Sequence, residues 1–194
     1  MIIIFGFQVI ITFVSHNREF IYKPRGFDSV DEMNDTIIAN HNNIVKPEDD
    51  VYLLGDLLLG GPDNIEKGLE MIRSLNGRIH LVRGNHDTDK RWEAYAGLPN
   101  VVEQQNAIYL NYRKYHFYMS HYASITSNFD YDKPLKARLL NLCGHSHTLN
   151  PWQDINLGLI YHVEIDAHNC YPINLDYIIN SLKNKFLDIN VQKD

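Results

Sequence analysis

Short apolar runs alternate with polar, turn-forming segments along the first half of the chain. Residues 2–14 form the longest apolar run and predict a buried first strand, and residues 51–54 and 79–82 predict two more strands. Apolar residues at helical spacing predict a helix over 29–43, which begins with the capping-box pair Ser29 and Glu32, and a second helix over 65–75. This alternation of strands and helices is typical of parallel strands joined by crossover helices.

The pattern changes in the second half. Two alternating runs, 107–112 and 115–119, flank a polar pair and predict an antiparallel hairpin. Further strands are predicted at 139–143 and 160–165, before a final helix from about 175 to 185. The longest loop-like segment, 122–136, is either a mobile loop that contacts a substrate or an ordinary surface loop.

Length, charge and cysteine content limit the possible classes. The 194 residues favour one domain, residues 1–194, large enough to bury about 70% of the surface of its unfolded chain. A net charge of -6 argues against a generally basic nucleic-acid-binding surface, so no stable nucleic-acid complex is expected. With only Cys143 and Cys170, neither a disulfide framework nor a zinc ribbon is indicated, which favours a reducing, cytoplasmic setting.

The N-terminal apolar run raises the question of a membrane. Residues 2–14 are too few to cross a bilayer, and they lack the basic start and cleavage site of a signal peptide. We therefore expect no membrane association, with an export or anchoring segment as the alternative.

Residues with metal-binding side chains follow four of the predicted strands. They are Asp56 after 51–54, Asn85 after 79–82, His121 after 115–119, and His145 and His147 after 139–143. Because loops at the carboxyl ends of strands converge on ligands, we expect these side chains to lie together. A carboxylate, an amide oxygen and several imidazoles suit manganese, iron, zinc or nickel. Taken alone, the segment Gly84-Asn85-His86-Asp87 would favour an ordinary surface turn over a binding site.

The four segments resemble motifs of the calcineurin-like metallophosphoesterases. The motifs of that family run Asp-x-His, Gly-Asp, Gly-Asn-His-Asp/Glu, a lone His and Gly-His-x-His, and this chain matches the last four in order over 51–147. Arg25-Gly26-Phe27 through Asn34 is also similar to small single-domain bacterial and phage members. The resemblance implies an α/β fold in which a mixed-sheet β-sandwich is flanked by helices, in four α/β/β/α layers.

The resemblance also implies a metal site. Asp56 resembles the carboxylate that bridges two metal ions, Asn85, His121 and His145 resemble the other ligands of the second metal, and His147 resembles a ligand of the first. One or two divalent ions are expected, with manganese favoured. Two ions about 3.5 to 4 Å apart hold phosphate oxygens and lower the pKa of a bridging water.

His86 and Asp87 are implied to act in catalysis. His86 resembles the residue that contacts the phosphate and protonates the leaving oxygen, and Asp87 resembles a residue that orients it. The implied reaction is hydrolysis of phosphate mono- or diesters by a metal-activated hydroxide, with a small phosphate ester or a nucleotide as substrate.

One motif of the family is missing. His16 resembles a histidine that follows Asp-x-His by three residues, which places the expected Asp and His at Ile11 and Phe13. Three explanations are open: a corrupted or shifted N-terminal reading of an active gene, a one-metal hydrolase in which His16 is a substitute ligand, or a degenerate member with little or no activity that binds metal or a partner. The remaining histidines are expected to be ordinary packing or surface residues: His41, His80, His116, His162 and His168.

Overall fold

The computed structural model describes residues 8–10, 19–58, 65–124, 134, 137–153 and 159–191, with the side chains of 8–10 and of residues beyond Lys185 excepted. The described elements, in chain order, are β1 (Gln8–Ile10), α1 (Glu19–Tyr22), α2 (Val30–Ile44), β2 (Asp50–Leu53), α3 (Ile65–Arg73), β3 (Arg78–Val82), α4 (Asp89–Ala96), β4 (Val101–Gln105), β5 (Ala107–Tyr112), β6 (Tyr115–Ser120), β7 (Leu139–Cys143), β8 (Ile160–His162), β9 (Ile173–Asn174) and α5 (Leu175–Val191). A 3-10 helix, Ile165–His168, lies between β8 and β9.

The first sheet has the strand order β4-β3-β2-β1-β9. Strands β1 to β4 are parallel neighbours, and β9 runs antiparallel to β1. The parallel pairing expected from alternating strands and helices is therefore confirmed. Of the first predicted strand, residues 8–10 are a strand, and the rest of 2–14 lies outside the described residues.

The second sheet has the order β5-β6-β7-β8. Strands β5 and β6 form the predicted antiparallel hairpin, with Ile108 opposite Met119. Strands β6, β7 and β8 are parallel, with Phe117 opposite Leu140. Both sheets are thus mixed, and the carboxyl ends of β6 and β7 lie side by side.

Two hydrophobic clusters hold the layers together. On one face of the first sheet, Val51 and Leu53 of β2 pack with apolar side chains of α2 and α3. On the other face, Tyr52 and Leu54 join a cluster with the second sheet and α5. Strand β2 is apolar on both faces because both are covered, which explains its unbroken apolar run. The predicted α/β fold of mixed sheets flanked by helices is confirmed.

The structure differs from the sequence prediction at several elements. Helix α4 and strand β4 were not predicted, because α4 is eight residues long and half of it is charged. The predicted strand 160–165 ends at His162, where the chain turns toward the 3-10 helix. Among the described helices, none is both long and apolar enough to cross a membrane.

Candidate metal centre

The four predicted strand ends meet at one place. Asp56 follows β2, Asn85 follows β3, His121 follows β6, and His145 follows β7. Because β2 and β3 are parallel neighbours in one sheet and β6 and β7 in the other, each pair of loops emerges at the same edge. The cluster between the sheets brings the two edges together.

Three potential ligand atoms surround Nε2 of His121. Asn85 Oδ1 lies 2.8 Å from it, His145 Nδ1 3.1 Å, and Asp56 Oδ2 3.2 Å. The other ring nitrogen of His121 lies 2.8 Å from the Leu54 carbonyl oxygen, to which it donates as Nδ1–H. In that tautomer Nε2 carries a lone pair and faces other electron-rich atoms, so a shared cation satisfies the group best. These donor types fit a borderline divalent metal ion.

The ionisation of this group follows from its burial and contacts. Burial disfavours charge on Asp56. The His86 N–H and the His121 ring, which donates from Nε2 only when it is doubly protonated, outweigh this effect and lower the pKa of Asp56. Burial likewise opposes charge on His121, but Asp56 and the Leu54 carbonyl raise the pKa of His121. Burial and the nearby His121 lower the pKa of His145, which favours the neutral imidazole that binds metal.

Glycine is required at two positions for this close approach. Gly55 has φ +93°, and a Cβ there would lie 2.6 Å from His121 Nδ1. A Cβ on Gly84 would collide with the Asp56 carboxylate. Both glycines precede a site residue, and both allow the two loops to touch.

The Asp87 carboxylate joins the loops after β2 and β3. It is 2% exposed and accepts hydrogen bonds from the backbone N–H groups of Asp56 at 2.8 Å, Leu57 at 3.2 Å and Gly84 at 2.8 Å, and from the Tyr95 hydroxyl at 3.2 Å. Asp87 therefore fixes the backbone of the loop that carries Asp56.

None of these bonds reaches the His86 side chain. The role of Asp87 implied by the resemblance, orienting His86, stays a prediction. The His86 N–H donates to Asp56 Oδ1 at 2.7 Å, and the His86 carbonyl accepts from Arg91 Nη1 at 2.9 Å. Its imidazole is exposed and makes no hydrogen bond within the described part of the chain. The backbone is fixed, and the ring is accessible to a ligand.

His147 does not join the group around His121. The described His, Cys, Asp and Glu side chains form one cluster with ligand atoms within 4.8 Å of one another, which contains Asp56, His121 and His145. Instead, His147 Nδ1 lies 3.3 Å from Asp166 Oδ2. Its implied role as a first-metal ligand stays a prediction, and His16, Ile11 and Phe13 lie outside the described residues.

Asp166 is held in turn by Arg25. The Arg25 guanidinium donates from Nε to Oδ1 at 2.8 Å and from Nη2 to Oδ2 at 2.7 Å, and the two side chains are 4% and 12% exposed. Burial opposes charge on Asp166, but His147 and Arg25 lower its pKa. This buried pair ties the loop before α2 to the 3-10 helix, 141 residues away in sequence.

Glu164 supports the loop that carries His145 and His147. Both histidines have positive φ, +74° and +51°. The N–H of Ser146, between them, donates to Glu164 Oε1 at 3.1 Å, and His162 Nδ1 lies 3.1 Å from the same oxygen. Glu164 is fully buried, and its Oε2 has no hydrogen-bond partner among the described residues.

The chain is similar to known proteins. Residues 16–181 match the family model for calcineurin-like phosphoesterases. The chain belongs to the calcineurin-like phosphoesterase family. An uncharacterized protein of Methanocaldococcus jannaschii is 33% identical over 175 residues, which cover 89% of this chain and 88% of that protein.

Solved structures include similar chains. A protein of unknown function from Aquifex aeolicus superposes with a TM-score of 0.65 at 20% identity, over 90% of this chain and 99% of that one, which supports the fold. A novel archaeal phosphodiesterase gives a TM-score of 0.45 at 14% identity, over 81% of this chain and 82% of that one.

Sequence reasoning missed the residues that support the site. Glu164, Asp166 and Arg25 lie outside the four motifs, and His162 was expected to be an ordinary packing residue. Tyr122 was also missed. Its ring is exposed and contacts the rings of His121 and His145, with centroids 4.9 and 4.7 Å away. In the sequence, the only sign that Tyr122 belongs to the site is that it directly follows His121.

Proposed function

We propose that this member of the family hydrolyses phosphate mono- or diesters and that Asp56, Asn85, His121 and His145 hold its metal ion. The observation that carries the proposal is the convergence of three ligand atoms within 3.2 Å of His121 Nε2. Manganese is the proposed metal, with iron, zinc and nickel as alternatives, because the donors mix oxygen with imidazole nitrogen. The proposed substrate is a small phosphate ester or a nucleotide.

The bound metal supplies Lewis-acid chemistry, since it offsets phosphate charge and makes water more acidic. The chain's own residues supply positioning and proton transfer. The His86 N–H holds Asp56 Oδ1, which leaves Oδ2 directed toward His121. The exposed His86 ring is proposed to contact the phosphate and to donate a ring-nitrogen proton to the leaving oxygen.

A second metal position is less complete in this chain. It would draw on Asp56 and His147, with His16 as a further proposed ligand. Asp166 Oδ2 at 3.3 Å and Arg25 Nη2 at 3.4 Å both face Nδ1 of His147, and this leaves Nε2 as the proposed ligand atom. We therefore propose that the position around His121 fills first.

The second candidate function is metal or partner binding with little or no turnover. Ile11 and Phe13 favour it, because the resemblance places an Asp and a His, both metal ligands, at those positions. In this reading the centre around His121 still binds metal.

Hydrolysis of bis(p-nitrophenyl) phosphate across a manganese titration distinguishes the two. We expect manganese-dependent turnover that Asn85→Ala lowers by about a hundredfold or more and that Asn106→Ala, in the exposed turn between β4 and β5, leaves unchanged. Turnover only after the double change Ile11→Asp and Phe13→His supports the binding protein. Turnover that needs neither metal nor Asn85 contradicts both.

A further inference from the structure

A cavity of about 580 Å³ lies beside the metal centre, with His147 in its wall. Its lining does not include Asp56, Asn85, His121 or His145, so it is a separate space. The volume is within the range of small-molecule sites. We infer that this cavity binds the organic group esterified to the phosphate and that this group is a nucleoside. The inference rests on the proposed phosphoesterase function.

The position of the cavity is the first argument. His147 is two residues from His145, in the loop that the Glu164 carboxylate supports through Ser146. Asp166, which bonds His147, is also in the wall. One loop therefore connects the cavity with the proposed metal centre, and on this ground we place an ester group of the substrate in the cavity.

Charge argues for an uncharged occupant. Among the lining residues, the formally charged side chains are Arg25 and Asp166, and they neutralise each other through two hydrogen bonds of 2.8 and 2.7 Å. A second phosphate or a carboxylate would find no uncompensated cation among the described lining residues and would meet the Asp166 carboxylate. The cavity is thus suited to the neutral part of an ester.

Apolar side chains argue for a planar ring. Phe20 is 71% exposed, Leu149 80% and Tyr171 47%, although all three are large and apolar, and all line the cavity. Grouped exposed apolar side chains mark ligand sites more often than single ones do. Two of these three side chains are aromatic. Any nucleobase can stack on an aromatic face, because every base has a flat π-surface.

Polar groups argue against a plain hydrocarbon. Thr36 and Asn40 lie one turn apart on α2, and Asn169, which follows the 3-10 helix, also lines the cavity. Asn40 Nδ2 donates to the Cys170 carbonyl at 3.1 Å. Its Oδ1, the Thr36 hydroxyl and the Asn169 amide make no hydrogen bonds within the described residues. These groups are available to a base or a sugar, whereas an alkyl chain would leave them unpaired.

Two chromogenic diesters with a common p-nitrophenyl group test the inference: thymidine 5′-(p-nitrophenyl phosphate) and methyl p-nitrophenyl phosphate. We expect kcat/KM to be at least about tenfold higher for the thymidine ester, through a lower KM, and Tyr171→Ala to remove this preference. The matched control is Tyr109→Ala, an exposed tyrosine on β5 outside the cavity, which should leave the ratio unchanged. Equal kcat/KM values for the two esters, or a ratio that Tyr171→Ala does not change, would overturn the inference.

A binding experiment with thymidine tests the nucleoside site independently of the proposed hydrolytic function. If neither ester is hydrolysed, the proposed function fails, but the cavity is still tested by titrating the full chain with thymidine and following amide NMR shifts. Saturable shifts that Tyr171→Ala abolishes and Tyr109→Ala retains support the nucleoside site. No saturable shift, or the same shift in the Tyr171→Ala variant, contradicts it.

Discussion

The carboxylate of Asp56 lies against the Cα of Gly84, in the space that a side chain at position 84 would occupy. The two residues belong to loops that follow neighbouring parallel strands, and Asp87 bonds to the backbone N–H groups of both. The proposed metal centre therefore depends on two backbone segments in direct contact, as well as on its proposed ligands.

Gly84→Ala should consequently disrupt the centre. The new Cβ would collide with buried groups of Asp56, so we expect a loss of about 1 to 3 kcal/mol in the free energy of unfolding and a loss of manganese binding. Chemical denaturation and a manganese titration measure the two effects. Gly97→Ala is the control, because its Cβ would meet no atom closer than 3.4 Å. Equal stability of the two variants would show that the loops are not in contact.

Glu164 should control metal affinity without touching the metal. Glu164→Ala removes the acceptor of the Ser146 N–H, and we expect manganese affinity to fall by about ten- to a hundredfold because His145 loses its support. Glu164→Gln keeps an oxygen for that N–H and should retain most of the affinity. Isothermal titration of the folded variants measures this difference. If the alanine variant is folded and binds manganese as tightly as the unaltered chain, Glu164 has no positioning role.

His41 should make stability depend on pH. It is 1% exposed in α2, and burial lowers its pKa from 6.5, partly offset by its hydrogen bond to the Asn76 carbonyl. Below pH 6.5 the unfolded chain binds a proton that the folded chain does not, so stability rises with pH up to about 6.5 and falls below it. The loss is at most about 1.4 kcal/mol per pH unit until the folded-state pKa is reached.

Urea denaturation from pH 5.5 to 7.5 tests this prediction. His41→Gln keeps a donor for the Asn76 carbonyl but does not titrate, so its stability should vary less with pH. His116→Gln, on the hairpin, is the comparison and should follow the unaltered chain. If the His41→Gln variant shows the same slope as the unaltered chain, the proton uptake belongs to other groups.

The sequence predicts the strand framework well because most strands are buried runs. Val51 to Leu54 are apolar on both faces, and the residues that follow such runs are easily identified as strand ends. The parallel order of β2 and β3 then makes the meeting of Asp56 and Asn85 predictable. Helix α4 was not predictable in this way, since Tyr95 is its only buried residue.

The features of the site that the sequence does not predict depend on contacts between segments that are far apart in the chain. Arg25 meets Asp166 across 141 residues, and Glu164 meets Ser146 only because the chain turns after β8. No local pattern marks either pair. The orientation of His147 toward Asp166, and of Asp87 away from the His86 ring, likewise depends on tertiary contacts that motif spacing does not contain.

The most direct test of the proposed metal centre is a titration of the metal-free chain with manganese, in which electron paramagnetic resonance measures how many ions bind and how tightly. We predict a tight site that is lost in His121→Ala and kept in His116→Ala, a matched histidine at the other end of β6. The same affinity in both variants would show that manganese binds elsewhere, and it would contradict the assignment of Asp56, Asn85, His121 and His145 as a metal centre.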